Sequence, residues 1–231
     1  MIGLSAPQGA GKTTLTQYLV QKLQQNGYRA ASLSIDDFYL TREEQVKLAK
    51  QFSDNPYLQQ RGYPGTHDLN LGTRTLESLK EGKSIPLPRY DKSAHQGRGD
   101  RCAESTWPTS APGLDVVFLE GWMLGFQKAD GLADPHLRVI NEFLPAYKAW
   151  TDQLKAFIWL EPEEARYVLE WRVEAEERMK AEGRPGMSRS EIEAYISKFI
   201  PAYETYLPGL KGVHPMLHLI IGKNRLPLID L

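Results

Sequence analysis

Cysteine is nearly missing from this chain: Cys102 stands alone among 231 residues. One thiol cannot close an intramolecular disulfide or build a cysteine cage for a metal, so the composition fits a reducing compartment. Net charge is just as scarce. Lys and Arg number 28 against 29 Asp and Glu, a formal charge of −1, so no summed field draws the protein onto nucleic acid or an anionic bilayer, and any polyanion it binds must be small. No apolar run reaches the roughly 18 residues that cross a membrane. Met1 opens directly on a strand-like run with no basic segment before it, so no import signal is expected and the cytoplasm is the expected compartment. Repeats and low-complexity tracts are missing too, and no Pro/Gly/Ser linker divides the chain. With 41% hydrophobic and 25% charged residues, the expectation is one domain over residues 1–231.

What is present is an alternation. Short apolar runs are each followed by an amphipathic stretch: MIGLS then 11–26, AASLSI then 41–51, DVVFLE then 135–150, KAFIWL then 162–182, with LHLII at the end. Five such runs predict an α/β fold with a parallel five-stranded core sheet flanked by helices. The first helix should pack Leu15, Tyr18, Leu19 and Leu23 on one face and stop at Asn26-Gly27. Thr41 with Glu44, and Ser188 with Glu191, read as capping boxes that open two later helices. Residues 55–112 break the alternation. They are rich in Gly, Pro, Arg and Asp, with one helical pattern near 73–81, and an irregular stretch that long is usually functional.

SAPQGAGKTT, residues 5–14, lies between the first strand and the first helix and reads as a P-loop, although Ala6 stands where the strict pattern has glycine. Backbone amides at Gly9, Ala10, Gly11 and Lys12 would face phosphate oxygens, with Thr14 closing the loop. Lys12 would reach the terminal phosphates, and Thr13 would offer its hydroxyl to Mg²⁺. ATP and Mg²⁺ are therefore the expected cofactors. A P-loop alone does not choose among switches, motors and kinases, so the carboxylates must. Asp36 and Asp37 follow the second apolar run, at the end of a strand where an open parallel sheet meets its ligands. Consecutive strand residues point opposite ways, so one of the two should face the site, and Asp36 is the candidate base for an attacking hydroxyl. Glu120 ends DVVFLE, where an acidic residue holds Mg²⁺ in P-loop proteins.

Two further segments carry charge without apolar content. RGYPGTHDL and PRYDKSAHQGRGDR hold Arg61, His67, Asp68, Arg89, Tyr90, Arg98 and Arg101, a candidate substrate-binding set for a small anion, since guanidinium pairs bidentately with carboxylate. Some of these arginines could instead pair with neighbouring aspartates and staple the loops. The stretch 162–187 ends in EGRPGMS and reads as a helical lid. Arg172, and after it Arg184, are candidates for a cation that reaches the phosphates on closure.

Taken together, SAPQGAGKTT, SIDDFYLT, RGYPGTHDL, PRYDKSAHQGRGDR, STWP, EGWMLGF and PAYETYLPGL resemble the D-glycerate 3-kinase family of P-loop kinases. More distantly the chain is similar to uridine kinase, phosphoribulokinase and pantothenate kinase. The resemblance runs from Ile2 to Leu210. It implies the P-loop NTPase fold, with 55–112 as substrate-binding insertion, and transfer of the ATP γ-phosphate to the 3-hydroxyl of D-glycerate in a setting of photorespiratory carbon salvage. It also implies that Lys12, Thr13, Asp36, Glu120 and Arg172 take the family's phosphate, metal, base and lid roles, and that Asn224 and Arg225 of LIIGKNR skirt the adenine. Family members often carry an N-terminal extension, and from this sequence none is expected. Two other readings stay open. One is a kinase for another small hydroxyl compound, such as a nucleoside, pantothenate or a sugar phosphate. The other is a nucleotide-dependent switch or assembly factor with no acceptor.

Overall fold

The computed structural model describes residues 1–228 apart from 182, 184, 185, 214 and 215. Strand β1 (Ile2–Ser5) runs into α1 (Lys12–Gln25), and β2 (Ala30–Ser34) into α2 (Arg42–Gln51). The irregular stretch holds α3 (Leu69–Lys80), then a two-residue hairpin, β3 (Tyr90–Asp91) with β4 (Asp100–Arg101), whose tip contains the single turn α4 (Ala94–Gly97). After β5 (Val116–Gly121) come α5 (Leu137–Phe143) and α6 (Lys148–Thr151). Then follow β6 (Ala156–Pro162), α7 (Tyr167–Ala181), α8 (Arg189–Ser197), α9 (Ile200–Tyr206) and β7 (Met216–Ile221). The main sheet has five strands in the order β2-β5-β1-β6-β7, all paired in parallel. No helix among the described residues is long and apolar enough to cross a membrane.

The register sets where the cleft lies. Leu4 of β1 and Ser34 of β2 both pair with Glu120 of β5, so the carboxyl ends of the three strands finish level and deliver their next residues to one edge of the sheet. Beneath that edge the core is aromatic: Trp150, Trp159, Trp171 and Phe38 are fully buried, with Phe38 and Trp150 in tilted contact at 5.3 Å.

Both capping boxes form, at Thr41–Glu44 and Ser188–Glu191. Four local expectations need correction. Tyr18 is 54% exposed while Thr16 is fully buried; the sheet-facing stripe of α1 is centred on Thr16 with Leu15, Leu19 and Leu23 half-buried, and Tyr18 lies about 200° round the helix from it. The expected 135–150 helix breaks into α5, a 3₁₀ turn (Leu144–Tyr147) and α6, with Pro145 in the turn, because proline lacks the amide a continuous helix needs. The 73–81 pattern begins earlier, at Leu69, because the Asp68 carboxylate accepts the Leu71 amide as N-cap. Residues 161 and 162 stay in β6, paired with Ile220 and Ile221, so α7 begins at Tyr167.

Gly72 faces Trp150 so closely that an added Cβ would lie 2.3 Å from Trp150 Cζ2. Both partners are held inside a packed helix interface, so Gly72→Ala is expected to lower unfolding free energy by about 1–3 kcal/mol through overpacking. Urea denaturation checks this, as a lower midpoint with an unchanged m-value.

Candidate active site

The loop after β1 turns on two glycines in the left-handed region, Gly9 (φ 78°) and Gly11 (φ 89°). A Cβ on Gly9 would lie 2.8 Å from Trp171 Cβ, so only glycine lets α7 approach the loop this closely. Ala6 is buried without a left-handed backbone, which is why a methyl is tolerated where the strict motif has glycine. Among the described residues the amides of Gly9, Gly11, Lys12, Thr13 and Thr14 have no hydrogen-bond acceptor. They form a cluster of donors at the positive end of α1, suited to phosphate oxygens. Ala10 departs from the expected cradle, because its amide turns back to the Pro7 carbonyl at 3.4 Å. Lys12 Nζ donates to the same carbonyl at 3.0 Å. Burial pushes the Lys12 ammonium below its ordinary range, while the nearby Glu120 and Asp36 carboxylates oppose that shift.

Thr13 Oγ1 donates to Glu120 Oε1 at 2.9 Å, and Glu120 is 4% exposed. No cluster of three or more His, Cys, Asp or Glu side chains able to hold a metal exists among the described residues. One hydroxyl and one buried carboxylate beside a phosphate loop nevertheless fit Mg²⁺, a hard ion that takes few protein oxygens and completes its shell with phosphates and water.

Asp36 and Asp37 do not end a strand. β2 stops at Ser34, and both lie in a 3₁₀ turn, Ile35–Phe38, capped by the Ser34 hydroxyl, which accepts the Asp36 amide at 3.3 Å. The two carboxylates diverge because the turn rotates them, not because a pleat alternates them. Asp36 meets Lys92 Nζ at 2.5 Å on the side of the turn towards Lys12. Burial pushes its carboxyl up, but the Lys92 ammonium and the Tyr39 hydroxyl outweigh that and hold it below the usual carboxylate range. Asp37 accepts the Tyr90 amide at 3.3 Å and lies 3.5 Å from Arg89 Nη1, so it anchors β3 to the turn that carries Asp36.

Most of the charged residues expected to bind an acid are engaged with the protein itself. Arg61 donates to the carbonyls of Gly97 (3.0 Å), Lys92 (3.2 Å) and Arg98, and lies over the Tyr90 ring. Arg89 donates to the Pro88 carbonyl at 2.8 Å. Arg101 donates to the Tyr39 carbonyl (3.0 Å) and to Asp68 (3.1 Å). The Arg98 residue is exposed. His67 is 5% exposed, stacked on Tyr39 at 4.5 Å, and its Nδ1 lies 2.8 Å from the Tyr147 hydroxyl. That hydroxyl already accepts the Gly65 amide at 2.9 Å. These contacts pack the two charged segments against residues 36–42.

Arg172 is held by the Glu176 carboxylate, which is almost fully buried, and lies over the Tyr195 ring at 5.5 Å. Its backbone nitrogen is 3.4 Å from where a Gly9 Cβ would be, so the residue stands beside the phosphate loop. Glu176 also accepts the Met187 amide at 3.0 Å, tying α7 to the start of α8. Arg184 lies outside the described residues. Arg225 Nε donates to the Gly9 carbonyl at 2.9 Å, its guanidinium covers the Trp171 ring, and Glu174 pairs with it at 2.7 Å. A cleft of about 560 Å³ opens there, lined by Glu163, Glu174, Asn224, Arg225 and Leu228. The sequence reading missed Lys92, Tyr39 and Tyr195. DKS in the second charged segment was visible, but a lysine on a loop tip carries no periodic signal.

A glycine loop between the first strand and helix of a parallel sheet, with a hydroxyl and an acid poised at its mouth, defines a P-loop nucleotide-binding protein. The profile of the Phosphoribulokinase / Uridine kinase family matches residues 1–137, and the chain belongs to that family. It is 42% identical over 99% of its length to D-glycerate 3-kinase, chloroplastic, of Arabidopsis thaliana, and spans 54%, about half, of that relative. An uncharacterized kinase of Schizosaccharomyces pombe, mug58, is 34% identical over 99% of this chain and 90% of its own. The solved structure of D-glycerate 3-kinase from Cryptococcus neoformans superposes with a TM-score of 0.88 at 32% identity, covering 98% of this chain and 87% of the other.

Burial lowers the His67 pKa to about 4 from 6.5. Between those values the unfolded chain binds a proton that the folded one refuses. Stability is therefore complete above about pH 6.5 and declines as pH falls toward 4, by about 2 kcal/mol between pH 7 and pH 5 for this one group. Denaturant titrations of wild type and His67→Gln at both pH values check it: the variant should show a smaller loss by about that amount.

Proposed function

We propose that this protein is an ATP-dependent kinase that phosphorylates the 3-hydroxyl of D-glycerate to give 3-phosphoglycerate. The observation that carries the reading is the meeting, at one sheet edge, of a donor-lined phosphate loop with Lys12, the Thr13–Glu120 pair and a carboxylate, Asp36, held ionised by its surroundings. The names of the Arabidopsis and Cryptococcus relatives support the acceptor. In this account the free amides of the loop and Lys12 bind the β and γ phosphates, while Asn224 and Arg225 border the cleft that takes the adenine. Thr13 and Glu120 would hold Mg²⁺, directly or through water, and the ion would supply charge shielding on the phosphate oxygens.

Asp36 accepts the proton of the acceptor hydroxyl as its oxygen attacks the γ phosphorus in line. An ionised carboxylate with a depressed pKa is a weak base, which suits a loose transition state in which the proton leaves late. α7 acts as the lid helix, and Arg172 exchanges Glu176 for the transferring phosphoryl group on closure. Residues 55–112 form the acceptor-binding insertion, with Arg61, Arg89, Arg101 and Asp68 shaping its loops. The setting proposed is a reducing compartment, on the ground of the lone Cys102.

A coupled assay of ADP release with and without D-glycerate tests the reading: release should depend on the acid, and hydrolysis indifferent to it would favour a switch instead. Asp36→Asn is expected to lower kcat by about 10²–10⁴-fold with ATP affinity within a few fold, and a near wild-type rate would remove the base assignment. Arg172→Ala is expected to cost about 10³-fold in kcat, the low end for an arginine on the transferring phosphoryl group, with a much smaller change in the KM for glycerate.

A further inference from the structure

Three arginines of the insertion are held by loop partners, and a lysine of the same segment meets the candidate base. Arg61, Arg89 and Arg101 each donate to backbone carbonyls, and the last two also meet Asp37 and Asp68. Lys92, one residue past β3, instead sends its ammonium to the Asp36 carboxylate at 2.5 Å. Its side chain is 58% exposed, so the group is reachable from solvent while its backbone is fixed. Arg61 grips the Lys92 carbonyl, Asp37 grips the Tyr90 amide two residues earlier, and the Asp91 carboxylate accepts the Ser93 amide at 2.8 Å. The hairpin tip beyond it is wound through four left-handed residues, His95, Gln96, Gly97 and Gly99. That winding is uncommon for His and Gln, and it turns the Gly97 and Arg98 carbonyls onto Arg61.

An ion pair on the base is an obstacle to catalysis unless something removes it. Lys92 Nζ is in direct contact with Asp36 Oδ2, so a hydroxyl can take that oxygen only if the ammonium yields. A neutral alcohol would have to break the pair and leave the cation without a counter-ion. A small acid brings one with it. An acceptor that carries a hydroxyl and a carboxylate a few ångströms apart can enter between the two groups, each hydrogen bond being about 2.8 Å. The carboxylate then takes the place of Asp36 beside Lys92, the hydroxyl takes the place of Lys92 beside Asp36, and the count of paired charges is unchanged. A three-carbon hydroxy acid has that spacing; a nucleoside has no anion to offer.

We propose that Lys92 is the specificity-determining residue for the acceptor, trading its ion pair with Asp36 for one with the carboxylate of the incoming hydroxy acid and so uncovering the base. The inference rests on the kinase reading above and deepens it, since it makes ionisation of the acceptor the condition for a free Asp36. It also separates the two lysines of the site: Lys12 serves the nucleotide and Lys92 serves the acceptor.

The test is calorimetric titration of protein saturated with Mg²⁺ and a non-hydrolysable ATP analogue. One series uses D-glycerate, a second its neutral amide, glyceramide, and a third measures the analogue itself. Lys92→Gln is expected to raise the Kd for D-glycerate about 10- to 100-fold, as loss of a charge-assisted contact should, and to leave the Kd for the analogue within about threefold. The preference for acid over amide should fall by the same 10- to 100-fold. Lys92→Arg, which keeps the charge, should restore part of that preference and shows that loss in the first variant is not misfolding. A Kd for D-glycerate within threefold of wild type in Lys92→Gln overturns the inference. So does equal weakening of acid and amide, or weakening confined to the analogue, which would assign Lys92 to the phosphates. Wild-type protein that binds no D-glycerate would overturn the kinase reading itself, and that result is visible before any variant is made.

Discussion

The hydrogen-bond register of three parallel strands is the constraint on which the cleft depends. Leu4, Glu120 and Ser34 lie level across β1, β5 and β2, so the phosphate loop, the acid facing Thr13 and the turn bearing Asp36 all emerge at the same height. Side chains on a strand alternate between faces, and a slip of one residue would turn Glu120 to the opposite face. The buried apolar residues Leu4, Leu33, Val117 and Leu119 pack at that register, and a shift at Leu33 would bring Ser32 or Ser34 into its place in the core. The chemistry of the site is thus fixed by packing that takes no part in it.

Charge is arranged against this frame in pairs. Lys12 is set against Glu120 and Asp36, Lys92 against Asp36, Arg89 against Asp37, Arg101 against Asp68, Arg172 against Glu176 and Arg225 against Glu174. The pairs differ in how many other contacts their members have. Asp37 and Asp68 also accept backbone amides, so they are committed to holding loops. Asp36 has the Tyr39 hydroxyl, on a buried ring, and the Lys92 ammonium, on an exposed side chain that can rotate away. Arg172 has Glu176 and an aromatic face. Asp36 and Arg172, whose partners are side chains, lie near the phosphate loop, whereas Asp37 and Asp68, which also hold backbone amides, fix the loops around them.

Much of this was legible from residues alone. The phosphate loop, the strand–helix alternation, both capping boxes and Glu120 rest on local rules, in which residues a few positions apart settle the outcome. The acidic pair was found for a reason that did not hold, since Asp36 and Asp37 diverge in a 3₁₀ turn and not along a strand. The charged segments were harder. Composition marked 55–112 as a loop region rich in arginine but could not say which guanidinium would meet a carbonyl of the hairpin tip, and Arg61 reaches Gly97, 36 residues away, to do so. Tyr195 on α8 was not singled out at all, because its place beside Arg172 follows from how α7 and α8 fold back on each other.

By itself, then, the sequence determined the local chemistry: where a phosphate can be bound, where helices begin, and which short runs must be buried. Backbone sterics, capping and periodicity act over a few residues and leave their mark in order. Which cation meets which anion was decided only in three dimensions. Lys92 and Asp36 are 56 residues apart, and nothing in either neighbourhood specifies the other. Their meeting depends on Asp37 gripping Tyr90 and on Arg61 gripping the hairpin tip, contacts that exist only once the whole chain has closed around its sheet.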